Sequence, residues 1–381
     1  MSKVYLKVCD SYDEDVLKPV IKDALLTTSF KDIKKGDSVF IKVNCLGGYS
    51  QDLAITTNPH LLKVVIDLAK ERTDKIMVGD NPANKDMVSA LKKNGMYEVI
   101  KDANVSLLNG EEQVVITNPA YHTFKDFAVS KQIVDADYLI NLPKLKTHTL
   151  TYFSCAQKNL FGLIYGLNKS SWHVKAPTPL DFAYVIGDLY GAIKMHFKEN
   201  HIINLCDGID ALEGEGPATS GSKYHLGAIL ASNDAISLDR VAIEIASLDY
   251  NKYVLGSIAS SLMLGVTDLD DIQIQGDSID SFENKKMREP DKGIASKAMK
   301  FLRMKFIRNA CLEHPKIDKN ICKRCGECAS ICQSHAMTIK KGEFPHLKSN
   351  KCIRCWCCQE ICPHHAIKKT KRPIIGKIIF K

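Results

Sequence analysis

The sequence predicts an α/β body with a largely parallel sheet flanked by helices, followed by a small C-terminal region dominated by cysteine. Three observations carry this expectation. Residues 1–275 alternate short apolar runs with stretches of helical period, a rhythm that implies crossover connections and parallel strands. Ten of the 14 cysteines fall within the last 71 residues. Charge divides near the same place: residues 285–381 hold 24 Lys+Arg against 7 Asp+Glu, so the net +8 of the 381-residue chain covers a mildly acidic body and a strongly basic end. The length allows two to three domains. With 45% hydrophobic and 25% charged residues, the composition is that of an ordinary globular protein, and no apolar run approaches the ~18 residues of a membrane span.

Within the body, residues 39–43, 75–79, 137–142, 202–206 and 226–231 are expected as buried strands, being short, apolar and rich in β-branched residues. Helices carry good end signals. Thr57-Asn58-Pro59 supplies a cap and an N1 proline before residues 60–72; Gly95 closes the helix bearing Met87, Val88 and Leu91; Asp234 opens the helix of Ile236, Leu238, Val241, Ala242 and Ile245. The N-terminus has no apolar export segment, so a cytoplasmic location is expected. In a reducing compartment clustered cysteines are more often metal ligands than disulfides.

Polar chemistry collects after the expected strands, where ligands gather in parallel sheets. Lys42-Val43-Asn44-Cys45-Leu46-Gly47-Gly48 and Gly79-Asp80-Asn81-Pro82 follow the first two strands. Pro143-Lys144-Leu145-Lys146-Thr147-His148 is expected as a loop, leading on to Lys158-Asn159-Leu160-Phe161-Gly162. Asp207-Gly208 and the glycine-rich 213–217 stretch are expected as another loop, and Ser232-Asn233-Asp234 precedes Asp239. Lysines in a dry crevice would bind a carboxylate or phosphate, and a histidine moves protons near neutral pH. Lys144, Lys146 and His148 are therefore the candidate catalytic residues. Lys42, Asn44, Asp80, Lys158, Asn159 and Asp207 are candidate binders of a small anionic substrate. Asp207, Glu213 and Glu215 could instead hold a hard cation, although turn formation at Asp207-Gly208 explains one of these acids without a metal. The chain lacks Gly-x-Gly-x-x-Gly and a phosphate-binding Gly-x-x-x-x-Gly-Lys-Ser/Thr, so a classical dinucleotide or ATP site is not expected. A flavin or deazaflavin bound by other means stays open.

The C-terminal region reads Cys322-x2-Cys325-x2-Cys328-x3-Cys332, then Cys352-x2-Cys355-x2-Cys358-x3-Cys362-Pro363, the same run 30 residues later. Each cubane cluster needs four thiolates, three from one tight loop and a fourth from the other run. Cys322, Cys325, Cys328 and Cys362 would hold one 4Fe-4S cluster, and Cys352, Cys355, Cys358 and Cys332 the other. The region resembles a bacterial two-cluster ferredoxin, which implies a small α+β domain over residues 315–369. Gln333 stands where that family usually has proline, and Cys357 is an extra cysteine. Zinc suits Cys-x2-Cys pairs, but two zinc sites would not require the whole repeated pattern.

Residues 276–314 are expected as a basic linker, with an amphipathic helix over 293–310, and residues 370–381 as a basic tail. Such segments can pack on a neighbouring domain or make weak contact with a membrane surface. Aromatics are sparse in this region, so stacking platforms for nucleic acid are few and no nucleic-acid partner is expected.

The body also resembles the domain-of-unknown-function family 362, whose members often carry a ferredoxin module. Lys42-Val43-Asn44, Thr56-Thr57-Asn58-Pro59, Gly79-Asp80, residues 141–148, Gln157-Lys158-Asn159-Leu160-Phe161-Gly162, Asp207-Gly208 with Glu213, and Ser232-Asn233-Asp234 with Asp239 carry the resemblance. The family name supplies no reaction. The expectation is an iron-sulfur oxidoreductase passing electrons between a redox partner protein and an anion or second cofactor in the body. The alternative is a non-enzymatic electron-transfer adaptor.

Overall fold

The computed structural model describes residues 1–82, 86–110, 112–165, 168–290 and 305–379. Its strands are β1 (Ser2–Val8), β2 (Ser38–Val43), β3 (Lys75–Gly79), β4 (Ser106–Leu107), β5 (Gln113–Thr117), β6 (Asp126–Ser130), β7 (Tyr138–Leu142), β8 (Lys144–His148), β9 (Tyr152–Ser154), β10 (Ile202–Gly214), β11 (Gly221–Ser232) and β12 (Ile272–Gly276). The main sheet runs β12-β1-β11-β10-β7-β2-β3-β4. Along that path β11 alone is antiparallel to its neighbours, while β10, β7, β2, β3 and β4 pair in parallel. The body is thus a mixed, mostly parallel sheet flanked by helices.

Alternation along the strands divides the core between the two faces. Phe40 and Leu139 point into one cluster with the helix Pro179–His196. Val39, Ile41, Val43 and Ile140 point into the other, with the helices Glu14–Leu26 and Pro59–Lys70. The Asn58 side chain accepts from His60 N at the start of Pro59–Lys70, as the cap signal predicts. The chain leaves β2 toward β3 on one side and returns through β7 on the other. A crevice therefore opens between the carboxyl ends of β2 and β7, at the topological switch point.

One expected loop is a strand instead, and the other is a strand up to Gly214 and a loop only beyond it. Pro143 interrupts the chain, but Lys144–His148 continues as β8, pairing with β10 at Asp207↔Lys144 and Leu212↔Lys146. Asp207 and the following residues to Gly214 lie within β10, which stays paired with β11 as far as Gly214↔Gly221. Every residue of β8 is buried. Its lysines are tolerated because their ammonium groups find partners, described below.

The basic linker expected over 276–314 does not begin at 276. Phe282 and Met287 are buried in the body core, and Arg288 N donates to Glu213 Oε2 at 2.7 Å. The amphipathic helix expected over 293–310 lies mostly outside the described residues; Lys305–Cys311 is helical. Beyond it, the cysteine-rich region repeats its own backbone. The short helices Glu327–Ser330 and Cys357–Glu360 stand 30 residues apart. Left-handed residues recur at the same interval, as Arg324 with Arg354, Gly326 with Trp356, and His335 with His365. Pro315–Ile317 pairs with Ile367–Lys369, and Met337–Thr338 with His346–Leu347.

Candidate functional site

At the strand ends a line of amides crosses the sheet. Lys146 Nζ donates to Asn44 Oδ1 at 2.6 Å, Asn44 Nδ2 to Asn159 Oδ1 at 2.8 Å, and Asn159 Nδ2 to Asn141 Oδ1 at 2.8 Å. Asn141 Nδ2 donates to Asn204 Oδ1 at 2.8 Å, and Asn204 Nδ2 to the Ser232 carbonyl at 3.1 Å. These bonds tie β2, β7, β8, β10, β11 and the helix Ala156–Asn159 into one rigid frame, because each buried amide is held at both ends. Asp239 fixes that short helix. Its carboxylate accepts from Ala156 N at 2.6 Å and Gln157 N at 3.2 Å, and from Tyr253 OH at 2.9 Å. Burial still pushes its pKa up to about 7.

Two buried ion pairs stand beside this frame. Lys42 Nζ lies 2.9 Å from Asp80 Oδ1, and the same carboxylate accepts from Asn81 N and, through Oδ2, from Cys45 N. Gly162 passes so close that a Cβ there would collide with the Lys42 side chain and Asp80 Oδ1, which accounts for the glycine ending that segment. Lys144 Nζ lies 3.0 Å from Asp207 Oδ2 and donates to Tyr12 OH at 2.9 Å. Asp207 also accepts from Tyr12 OH and Asn58 N. Lys144 and Asp207 therefore lock β8 to β10 and do not line the cleft described next.

A cleft lies over the ends of β2 and β3. The body contributes Asn44, Lys146, Lys158, Lys169 and His173 to its wall; the cysteine-rich region closes the other side with Ile331, Cys357, Glu360 and Ile361. Contacts between the regions hold this arrangement. Tyr49 OH donates to the Glu360 carbonyl, Gln359 Nε2 donates to Ser220 Oγ at 2.6 Å, and Lys369 Nζ pairs with Glu215 at 2.7 Å.

The cleft wall is cationic, with its charged groups partly or wholly withdrawn from solvent. Desolvation, reinforced by Lys158, lowers Lys146 to about 7, and desolvation lowers Lys169 to about 8 against the pull of Asp80. Lys158 is lowered by burial, opposed by Glu360. Burial raises Glu360 above the usual carboxylate value, opposed by the three lysines. His148 is 2% exposed. Its Nδ1 accepts from the backbone N–H of Leu150 at 3.0 Å and of Thr151 at 3.4 Å, so the neutral ring carries its proton on Nε2. Burial, Lys158 and Lys146 hold its pKa well below the ordinary value. At neutral pH His148 is therefore a neutral donor, one of the two roles expected of it from the sequence. His173, lowered to about 3 by burial and Lys158, stacks on Phe182 and presents a neutral aromatic edge.

The eight spaced cysteines gather into two groups. Cys322, Cys325, Cys328 and Cys362 ring a small cavity, and Cys328 senses the other three electrostatically. Cys358 senses Cys355, Cys352 and Cys332 in the same way, together with Cys328. Backbone N–H groups of Arg324, Met337 and Ala366 point at the sulfurs of Cys322, Cys332 and Cys362 at 3.3–3.4 Å. Among the described residues, no three His, Cys, Asp or Glu side chains converge as ligands of a single metal ion. The carboxylates considered for a hard cation have other partners: Asp207 pairs with Lys144, and Glu215 with Lys369.

Sequence reasoning missed Lys169 and Glu360. Lys169 lies outside every segment with a strand-end signal. Glu360 had one: it is among only 7 acids in the basic 285–381 stretch and sits between two spaced cysteines.

The sheet, the switch-point crevice and the lysines above it define an α/β protein with a polar strand-end cleft. Residues 39–244 match the family described as Domain of unknown function (DUF362), and the chain belongs to that family. A thylakoid-associated protein of Synechocystis sp. is 31% identical over 218 residues, 57% of this chain and 65% of that protein, so the match spans just under two thirds of the relative's length. Among solved structures, the lactate racemase apoprotein from Thermoanaerobacterium thermosaccharolyticum aligns with a TM-score of 0.42 at 14% identity, covering 65% of this chain and 58% of that one. No helix among the described residues is long and apolar enough to cross a membrane.

Proposed function

We propose that the protein is an iron-sulfur oxidoreductase, in which a ferredoxin-like region holding two 4Fe-4S clusters exchanges electrons between a redox partner protein and a small anion bound in the cleft. The supporting observation is the cleft itself: one wall carries Lys146, Lys158 and Lys169, and the other belongs to the cysteine-rich repeat. The residues fit the cofactor. Cys322, Cys325, Cys328 and Cys362 would hold one cluster and Cys352, Cys355, Cys358 and Cys332 the other. A cubane spreads its four thiolates over four irons, so ligands need not meet at one point. The N–H groups aimed at Cys322, Cys332 and Cys362 are donors of the kind that stabilise cluster sulfur and raise its potential. Bound clusters would supply electrons one at a time.

The chain's own residues do the rest. Lys146, Lys158 and Lys169 attract and orient the anion. Phe161, Ile331 and Ile361 give the cleft an apolar side, and low-dielectric surroundings strengthen charge contacts. His148 holds a proton on Nε2 beside Glu360. A tethered electron carrier with no substrate of its own would have no use for buried lysines lowered toward neutrality. We place the protein on the cytoplasmic side of any membrane; the relative's description supports peripheral membrane contact, through the basic 285–381 stretch.

The test is anaerobic reconstitution with iron and sulfide, reduction, and a screen of small anions for reoxidation followed by visible absorbance and EPR. About eight irons per chain and anion-dependent reoxidation that Lys146→Met abolishes are expected. Zinc in place of iron, or reoxidation indifferent to every anion, overturns the proposal.

A further inference from the structure

Within the cleft, commitment of polar groups is uneven. Asp80 is saturated, with Lys42, Asn81 N and Cys45 N on its two oxygens. Lys146 has two acceptors, Asn44 Oδ1 and the Ile55 carbonyl at 2.9 Å. Two other lining groups have none, and a third, on His148, lies behind the wall rather than in it. Among the described residues, Lys158 makes no hydrogen bond and no ion pair within 4 Å, feeling Glu360 only at longer range. The Glu360 carboxylate accepts no hydrogen bond; its closest cation is His148 Nε2 at 3.9 Å, beyond bonding reach. His148 Nε2 is buried without a partner.

A buried donor without a partner is costly, as at His148 Nε2, and the uncommitted Lys158 and Glu360 on the cleft wall specify which polarities a ligand would meet. Lys158 asks for an acceptor. Glu360 asks for a donor. A water molecule could answer in part, and a ligand replacing it must reproduce both polarities. The positive surplus fixes the acceptor part as an anion: three lysines line the wall against two acids, and Asp80 is already neutralised by Lys42. Phe161, Ile331 and Ile361 leave room for a short hydrocarbon body.

We propose that the cleft binds a small carboxylate or phosphate that also bears a hydroxyl or amino donor, and that Glu360 is the specificity-determining residue that recognises this donor. The inference rests on the anion-binding reading of the cleft given above. It makes recognition a shared task, with the acid group read by the body and the donor read by the cysteine-rich region.

Isothermal titration of the full, iron-loaded chain with two matched pairs tests this: acetate against glycolate, and ethyl phosphate against 2-hydroxyethyl phosphate. At least one hydroxylated member should bind about tenfold tighter than its partner, because a site built around a hydroxyl rejects the analogue lacking it. The pair that shows the preference identifies the acid as carboxylate or phosphate. Glu360→Ala should bring the ratio close to one while both members still bind, and Lys158→Met should weaken both members alike. Should Glu360→Ala fail to load iron, Glu360→Gln keeps the shape with one acceptor oxygen fewer, and its ratio must fall several-fold. If no anion binds, the anion reading of the cleft fails and this inference with it. If anions bind but the hydroxyl makes no difference, or the preference survives both Glu360 variants, the inference alone is overturned.

Discussion

The two walls of the cleft are built on different principles. The cysteine-rich wall is a repeat whose residues are held by their interval: left-handed residues and short helices recur 30 apart along the chain. The body wall has no repeat. Its lysines come from β8 and two separate helical segments, and the amide line from Lys146 to Ser232 ties β8 and the helix Ala156–Asn159 to the sheet. A site made by spacing is readable from one stretch of sequence. A site made by topology appears only when distant segments meet.

The largest effect should come from breaking the repeat. Because the fourth thiolate of each proposed cluster comes from the other run, Cys322→Ser and Cys362→Ser should abolish the same EPR signal, while Cys332→Ser and Cys352→Ser abolish the other. Each variant should lose about half of the reconstituted iron. If Cys322→Ser and Cys352→Ser behaved alike instead, each run would hold its own cluster and the interleaved arrangement would be wrong.

Next come the buried ion pairs of the body. Lys42→Met leaves the Asp80 carboxylate with only Lys169, 3.9 Å away, as its cation, and Lys144→Met leaves Asp207 in the interior with none. Losing one partner of a buried pair costs about 3–5 kcal/mol, whereas replacing both partners by apolar residues recovers much of it. Urea unfolding followed by circular dichroism should show Lys144→Met strongly destabilised and Lys144→Met/Asp207→Leu partly restored. A Lys144→Met change below about 1 kcal/mol would mean that the pair does not lock β8 to β10.

These lysines also show why only part of the body was legible. The strands β2 and β3 and the Asn58-capped helix were readable because apolar runs and a cap mark them directly. The segment Lys144–His148 looked like a loop because lysine and histidine outnumber its apolar residues. It is a strand because Asp207, Tyr12, Asn44 and the Ile55 carbonyl, all distant in sequence, satisfy its ammonium groups. Asp207 was read as a loop residue on the strength of the following glycine, whereas Gly208 lies within β10, against Ala228 of β11. The two cysteine runs were legible as spacing. That their region forms the lid of a cleft was not, since Glu360 and Lys158 are brought together only by the fold.

A smaller effect separates the walls by pH. Anion binding needs charged ammonium groups, which exist below their pKa. With Lys146 lowered to about 7 and Lys169 to about 8, affinity for an anionic probe should fall as pH rises from 6 to 9. The groups acting on Lys146 are Lys158, Glu360, Lys144 and Asp80, so a bound anion will move the midpoint upward. In Lys146→Met the step near pH 7 should vanish and the later one remain. A flat profile in the unaltered protein would show that these lysines keep ordinary values.

The smallest effect concerns the seam. Lys369 Nζ and Glu215 Oε2 meet at 2.7 Å, but both side chains are partly exposed, 17% and 23%. Solvent screening limits such a pair to about 0.2–1 kcal/mol, so Lys369→Ala should barely change unfolding, and salt should erase what difference there is. Gln359 is the better probe, because it is 8% exposed and its Nε2 reaches both Ser220 Oγ at 2.6 Å and the Ile367 carbonyl at 3.3 Å. Gln359→Ala leaves that carbonyl and the serine without their donor, and should loosen the cysteine-rich wall by about 1–2 kcal/mol. Limited proteolysis should then cut between the regions faster in Gln359→Ala than in Lys369→Ala, with a bound anion slowing both cuts because the cleft is closed from both sides. Equal cutting rates in the two variants, unaffected by anion, would mean that the walls act independently and that the cleft between them is not a shared site.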